Sequence, residues 1–387
     1  MREKINIENI MNVLVIIFSL LMFTEVKILN VMLPFMLICF AIKIKKTGYK
    51  KTGYELPILL FVSTIALSLI DTYNVSFGFK MFQRTLRFLL LPLILGQFEF
   101  NEKIKRNVLV GAILGVVYIL TLGILNIKGY IPYLYEGRVS GGMEVWIYGE
   151  WLSFGVAILL GSILYLVKDT KIKIILGLLL MLNLYILLLS KARSGYVAVT
   201  AVILFMIFHK YKKKSFFIFG VGALLLLGVV IKNPNNEYVR RIISITNIKT
   251  DTSNDSRLEL WAQGIEAFKK HPISGVGWRN FQEIEDVSKY KYRKGTYHHL
   301  HQSQLTILVG TGIIGFAAYA YMIIFIIISL YRKKDYFALI TMGLFIVSEF
   351  YGLTESSIRY QEIQRIIYFF LGISISGFYI SKKNKKD

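Results

Sequence analysis

The sequence predicts an all-α polytopic membrane protein of about twelve transmembrane helices. Three observations carry that expectation. Apolar runs of roughly 17–25 residues, the length a bilayer core requires, recur along most of the chain. They are apolar on all faces, whereas a surface helix of a soluble protein keeps one polar side. Lysine and arginine concentrate in alternate connections between them. The chain has 387 residues, 55% of them hydrophobic, and a mean hydropathy of +0.55. It reads as a single integral membrane domain, 1–387.

The expected spans lie near 8–25, 28–42, 56–71, 77–98, 106–127, 146–167, 172–190, 195–209, 215–231, 302–329, 335–352 and 363–381. Lys43, Lys45, Lys46, Lys50 and Lys51 separate the second from the third, and Lys103, Lys105 and Arg106 precede the fifth. Lys168, Lys171 and Lys173 divide the sixth from the seventh. Lys210, Lys212, Lys213 and Lys214 follow the eighth, and Arg332, Lys333 and Lys334 follow the tenth. The tail carries Lys382, Lys383, Lys385 and Lys386. The positive-inside rule places all of these, and both termini, in the cytoplasm, as an even span count requires. The first apolar run lacks a small-residue cleavage site and meets a second span at once, so no cleavable signal is expected.

One long polar segment interrupts the pattern, at 232–300. Long loops are exempt from the charge rule, so this one is expected outside the cytoplasm. No soluble nucleotide-sugar or ATP pool is expected there; an activated donor has to arrive attached to lipid. The net charge of +22 follows from the cytoplasmic loops, and no nucleic-acid partner is inferred from it. The single Cys39 excludes a disulfide within one chain and a cysteine metal cluster.

Several polar residues stand out at the expected outer face. Arg257 opens a short amphipathic helix that Asp255 or Ser256 can cap. Leu260, Trp261, Gly264, Ile265 and Phe268 share one face, and Pro272 and Gly275 end the helix. Such a helix can lie at headgroup depth, with its N-terminus and Arg257 offered to an anion. A solvated interfacial arginine is the plainer alternative. Arg193 sits in a tight outer turn between two spans, where a cation either snorkels or binds a ligand. Lys80, Arg84 and Arg87 share a face of the fourth span, where charge needs a cavity or a partner. A structural ion pair with Glu150 is the alternative to substrate binding. His301 precedes the tenth span, with His298 and His299 beside it, and a neutral imidazole can take a proton from a hydroxyl. Glu355 can orient a histidine or take the proton itself; an ordinary pair with Arg359 is the alternative. Residues 310–315 match a dinucleotide-binding glycine pattern, but inside an apolar span and not after a strand. There the small residues permit close helix packing.

Arg257, Trp261, then His271-Pro-Ile-Ser-Gly275-Val-Gly277, then His301 followed by Gly312-Ile-Ile-Gly315, resembles the O-antigen ligase and polymerase (Wzy/WaaL-like) superfamily. Arg193 in its serine-rich turn and Arg138-Val-Ser-Gly141-Gly142 also resemble family elements, and the likeness covers mainly 138–315. Spacing to the glycines selects His301 over His298 and His299. Gln302 stands where asparagine is usual, and Gly310 where an acidic residue is common. The resemblance implies a GT-C-like bacterial inner-membrane glycosyltransferase, metal-independent and without a cofactor, with its active site facing outward. It implies an undecaprenyl-pyrophosphate-linked oligosaccharide as donor, a glycan acceptor, and inversion at the anomeric carbon. His301, Arg193 and Arg257 are the implied catalytic set. Arg84, Arg87, Lys80, Arg138, Trp261 and Glu355 are expected to contact substrate. A polysaccharide polymerase, with a chain-length regulator as a candidate partner, is the leading expectation. A ligase acting on lipid A–core or another acceptor is the alternative within the family. A flippase of the same lipid-linked oligosaccharide is the alternative of another class.

Overall fold

A computed structural model describes residues 6–377, apart from positions 25, 71, 136, 234, 244–251, 287 and 289–298. His298 and the C-terminal lysines lie outside the described residues. Helix α1 (Ile7–Leu21) is capped by the Asn6 side chain, and α2 (Val26–Thr47) carries Pro34 in its interior. Next comes α3 (Glu55–Leu67). The expected span at 77–98 is instead two helices, α4 (Val75–Leu89) and the short α5 (Leu91–Leu95), which meet at Leu90 and Pro92. Proline lacks an N–H and suits the first turn of a new helix, so it divides the run here.

After α6 (Glu102–Ile127), α7 (Val145–Gly161) runs through the middle of the bundle and packs against α6, α9, α14 and α8 (Thr170–Ser190). The α8–α9 turn is tight: Lys191 takes a left-handed φ of 54° and α9 (Arg193–Tyr211) starts two residues later. A short turn leads into α10 (Ser215–Lys232). The 232–300 segment holds α11 (Glu237–Ile243) and α12 (Thr252–Lys270). The chain finishes with α13 (Ser303–Lys333), α14 (Tyr336–Tyr351) and α15 (Gln361–Ile375). Each expected span thus carries helix. Among the described residues, five stretches are long and apolar enough to cross a membrane: Glu102–Ile127, Val145–Leu166, Thr170–Ser190, Arg193–Lys232 and Ser303–Lys333. Helices α1, α3 and α14 are apolar but shorter. The protein is an all-α membrane protein.

Two helices differ from expectation. α4 is amphipathic, not apolar all round: Gly78, Met81, Thr85 and Phe88 are buried, while Lys80, Arg84 and Arg87 are exposed. α12 reaches back to Thr252, so Asp255 and Ser256 lie inside it and do not cap it, and Arg257 is more than a turn from its start. Its inner face is Ser256, Leu260, Gln263, Gly264 and Ala267, a helical spacing of three and four residues; Ile265 points outward.

The external segment is locked to the helices by backbone. α13 breaks at Gly312, whose φ of 67° and ψ of −171° are non-helical. Into that break fits the 272–277 turn. The Val276 amide donates to the Val309 carbonyl at 2.9 Å, and the Ile313 amide to the Pro272 carbonyl at 2.9 Å. A side chain on Gly312 would overlap the Ile273 carbonyl, and one on Gly275 would meet the Gly310 backbone at 2.5 Å. The small residues of 310–315 do allow close approach, as expected, but their partner is this turn and not a second helix. Trp278 then plunges into the core, fully buried. Its amide donates to Ser68 Oγ at 3.2 Å and its indole N–H to Thr85 Oγ1 at 3.1 Å.

The interlock predicts opposite fates for two neighbouring glycines. Gly312→Ala forces alanine into a conformation almost restricted to glycine, on the order of 1–3 kcal/mol before the overlap is counted. Gly310→Ala places its Cβ at 3.4 Å from the Gly277 carbonyl, an ordinary contact. Thermal unfolding in detergent should show a lowered midpoint for Gly312→Ala and a near-native one for Gly310→Ala. Equal midpoints would rule the interlock out as the main constraint.

Candidate active site

The outer ends of α13, α14 and α9 meet through three short turns. The amide of Ser303, at the start of α13, donates to the Gly352 carbonyl at 2.7 Å, and its hydroxyl donates to the Glu355 carbonyl at 3.2 Å. These bonds dock the 352–359 turn on the start of α13. Thr354 Oγ1 donates to Ser194 Oγ at 2.7 Å, which ties the same turn to the start of α9. The result brings His301, Glu355 and Arg193 onto adjoining surfaces, although they come from three separate parts of the chain.

His301 Nδ1 lies 3.0 and 3.2 Å from the two carboxylate oxygens of Glu355. A carboxylate accepts only, so Nδ1 carries the hydrogen of this bond. The ring remains partly accessible, with 20% of its side-chain surface exposed, whereas Glu355 is buried. His301 holds a left-handed φ of 48°, uncommon for a residue with a side chain. Its amide donates to His299 Nδ1 at 3.3 Å, and the two rings lie 4.0 Å apart. Burial, the neighbouring His301 and Arg359 hold His299 well below the usual histidine value, so it is neutral. Burial alone would raise Glu355, but His301, His299 and Arg257 outweigh it and hold the carboxyl at about 2. Glu355 is therefore a buried, ionised carboxylate paired with a histidine; it is not an ordinary partner of Arg359.

Arginines surround this pair. Arg257, on α12, is within electrostatic range of Glu355. Arg193, the first residue of α9, puts a cation where the helix dipole already favours an anion. Arg138 is tied down: its Nε donates to the Ser190 carbonyl at 3.1 Å and its Nη2 to that of Lys191 at 3.4 Å, which caps α8. It stays in range of Arg193 and Tyr351. Trp261 has a structural bond as well, its indole N–H donating to the Leu300 carbonyl at 2.9 Å and steadying the approach to His301. Of the α4 stripe, Arg84 alone is placed near the site among the described residues, within range of Arg279. Lys80 and Arg87 are exposed without a described contact to it. Glu150 is buried, with one carboxylate oxygen lacking a hydrogen-bond partner among the described residues and no described ion pair to the stripe.

Arg279 is the functional candidate that the sequence reading missed. It follows Trp278, takes a φ of 61°, and donates from Nη1 to the Arg359 carbonyl at 3.2 Å. Burial, Arg359 and Arg84 lower it to about 9. Its buried Nε has no hydrogen-bond partner among the described residues. A buried cation beside two others calls for an anion. No spacing rule exposes it; the signal is structural, because the buried tryptophan before it drags it inward. His299, His301 and Glu355 also offer ligand atoms within 4.8 Å of one another, a spacing that suits a divalent ion.

The two depressed groups set an acid-side stability profile. The unfolded chain takes up a proton at His299 below about pH 6.5, which the folded ring refuses, so stability falls below that pH. Glu355 stabilises the fold above its ordinary value of 4.5, and that contribution drains away as pH falls toward about 2. Unfolding midpoints read from pH 7.5 to 3 should show both limbs in the parent and lose the lower one in Glu355→Gln. An unchanged lower limb in the variant would contradict the buried carboxylate.

Residues 176–320 match a family model described as O-Antigen ligase. The matched segment contains Arg193, Arg257, Trp261, the 272–277 turn, Arg279, His301 and the break in α13. No curated protein matches the chain. Across 176–320, and through the site residues that this segment holds, the chain is similar to that family, and the match supports the O-antigen ligase and polymerase superfamily.

Proposed function

We propose that this protein is a polysaccharide polymerase of the bacterial cytoplasmic membrane. It transfers a glycan from undecaprenyl pyrophosphate to a lipid-linked repeat unit at the outer face. The proposal includes a GT-C-like topology of about twelve spans with both termini cytoplasmic, supported by helix at each expected span and by the loop charges. The observation that carries the chemistry is the His301–Glu355 pair, 3.0 Å apart and surrounded by arginines.

In this reading the acceptor hydroxyl lies against His301 Nε2. Glu355 fixes the ring and stabilises the imidazolium as the proton arrives. The hydroxyl oxygen bonds to the anomeric carbon from the face opposite the leaving group. The bond from that carbon to the pyrophosphate oxygen breaks with its electron pair, and the configuration inverts. Arg193, Arg257 and Arg279 take up the charge that develops on the pyrophosphate, the task a metal performs elsewhere. Geometry alone would let His299, His301 and Glu355 hold an ion, but an ion there would occupy the base.

The description of the matching family favours a second reading, a ligase that passes the glycan to lipid A–core or another final acceptor. One experiment separates the two. A deletion strain is complemented with the parent or with His301→Ala, and glycan size is followed on gels. Polymerase activity predicts a ladder with the parent and single repeat units on the final acceptor with the variant, a fall of roughly 10²–10⁴ in rate. Polymer stranded on undecaprenyl pyrophosphate would establish the ligase instead. Full output from His301→Ala would remove the catalytic assignment altogether.

Metal independence has its own check. Purified protein treated with EDTA should keep its transfer activity, and added Zn²⁺ should inhibit by competing for His301. Activity lost to chelation and restored by a divalent ion would reassign the trio as a metal site. Arg257→Lys, which loses the bidentate fork, should abolish most activity with normal expression.

A further inference from the structure

Beside the charged centre, at the outer ends of α1, α6, α7 and α15, lies a cavity of about 610 Å³. That volume falls within the roughly 300–1,000 Å³ typical of small-molecule sites. Phe23, Tyr118 and Trp151 supply aromatic wall, and Leu134 stands at its mouth, 53% exposed. Glu144 and Glu362 line it too, and among the described residues that line it none is basic. We propose that this cavity is a carbohydrate subsite that takes an uncharged or amino-bearing sugar ring of the glycan substrate. This rests on the transferase reading above.

The chemistry of the walls selects the occupant. Carboxylates accept hydrogen bonds and offer none, so they favour a ligand rich in hydroxyl or amine donors. They repel pyrophosphate and uronic acids. A prenyl chain would desolvate both carboxylates and return no hydrogen bond. A sugar ring meets both demands: its hydroxyls donate to Glu144 and Glu362, and its C–H face lies on aromatic surface.

The cavity is built rigidly and adjoins the catalytic groups on two sides. The Trp151 indole N–H donates to the Glu362 carbonyl at 3.3 Å, and the Arg365 guanidinium stacks 5.6 Å from the Trp151 ring. On one side, Tyr135 donates its hydroxyl to the Glu144 carboxylate and bridges through its backbone to Arg138. On the other, Glu362 is within electrostatic range of Arg279. Apart from Arg365 behind the Trp151 ring, the described lining of this cavity carries carboxylates and no cation, whereas arginines gather in the adjacent centre, so phosphate suits that centre and sugar the cavity. A ring held in the cavity stands next to the bond that is made or broken.

The test uses the full chain in nanodiscs and saturation-transfer NMR with a panel of methyl glycosides. The panel spans neutral hexosides, N-acetylhexosaminides, amino sugars and uronides. At least one neutral or amino-bearing glycoside should bind, and the uronides should not. Glu362→Gln should weaken that binding about tenfold, as expected for one charge-assisted hydrogen bond. Leu134→Trp, an exposed position that leaves the core intact, should block it. Arg279→Gln should lower affinity for inorganic pyrophosphate. Binding by uronides as strong as by neutral glycosides, or binding indifferent to Leu134→Trp, would overturn the proposal. So would a lipid that copurifies in the cavity, or pyrophosphate binding with no glycoside binding; that last result leaves the transferase reading standing. Glycoside binding together with full output from His301→Ala keeps the subsite and removes the transferase reading. In transfer assays, a KM effect of Glu362→Gln on acceptor alone assigns the subsite to the acceptor, and one on donor alone assigns it to the donor glycan.

Discussion

The backbone interlock between the 272–277 turn and the break in α13 is the constraint on which the site depends. The 232–300 segment is also held at Lys191, by Glu237 and Arg241, and at Asn74, by Asn280, but the interlock is its backbone attachment to α13. With it, Trp278 is carried into the core between Ser68 and Thr85. Arg279 is carried in behind it, and α12 is laid against the first turns of α13. Each consequence follows from the one before. Glycine is needed because only backbone can approach backbone this closely, and a broken helix is needed because its freed amide and carbonyl groups must find new partners. The turn supplies both, so a helix break that would otherwise be unfavourable in an apolar setting becomes the attachment point.

The second organising feature is a sorting of charge. Glu355 is buried and ionised, a state that is costly unless it is answered at short range, and His301 answers it. Arg257 and Arg359 lie within electrostatic range of Glu355, and Arg279 and Arg359 within range of His299. Arg279 in particular is buried against Arg359 and Arg84, which outweigh the nearby Glu362 and leave the arrangement short of negative charge among the described residues. A pyrophosphate would complete it. Such a site binds its anion and stabilises a leaving group with the same atoms, because preorganised donors do not have to reorient as charge develops.

Much of this was legible in the sequence, for identifiable reasons. Helix at the span positions follows from runs of apolar residues too long for any soluble element, and His301, Arg193 and Arg257 stood out because charge and imidazole are rare at such boundaries. Glu355 was legible as a partner for a histidine, since the two alternatives for it were both local. α4 was misread because hydropathy averages over a window: the apolar residues of the helix conceal three cations on its exposed face. The start of α12 was misread because Asp255 and Ser256 are good caps by type, whereas the helix begins three residues earlier at Thr252 against the low helix propensity of Thr, Ser and Asn. Trp278 and Arg279 were not visible at all. Nothing local distinguishes a tryptophan that fills a core 210 residues away in sequence from one lying in a headgroup layer.

The boundary of the family match bears on what varies and what is held. His301, Arg193, Arg257, Arg279 and both halves of the interlock lie inside 176–320. Glu355 and Arg359, which complete the charged centre, lie outside it, as does every wall of the cavity. In the proposed transferase reading, every pyrophosphate has to be treated alike while sugars are discriminated. Placing the phosphate-handling arginines and the base on one continuous stretch, and the sugar-facing walls on α1, α6, α7 and α15, lets the second group change without disturbing the first. The two groups meet where α7 packs on α8 and α9, where Arg138 bonds the Ser190 and Lys191 carbonyls, and where Glu362 lies within electrostatic range of Arg279. Substitutions that retune the glycan should therefore act on substrate affinity far more than on the chemical step, so long as those contacts are kept.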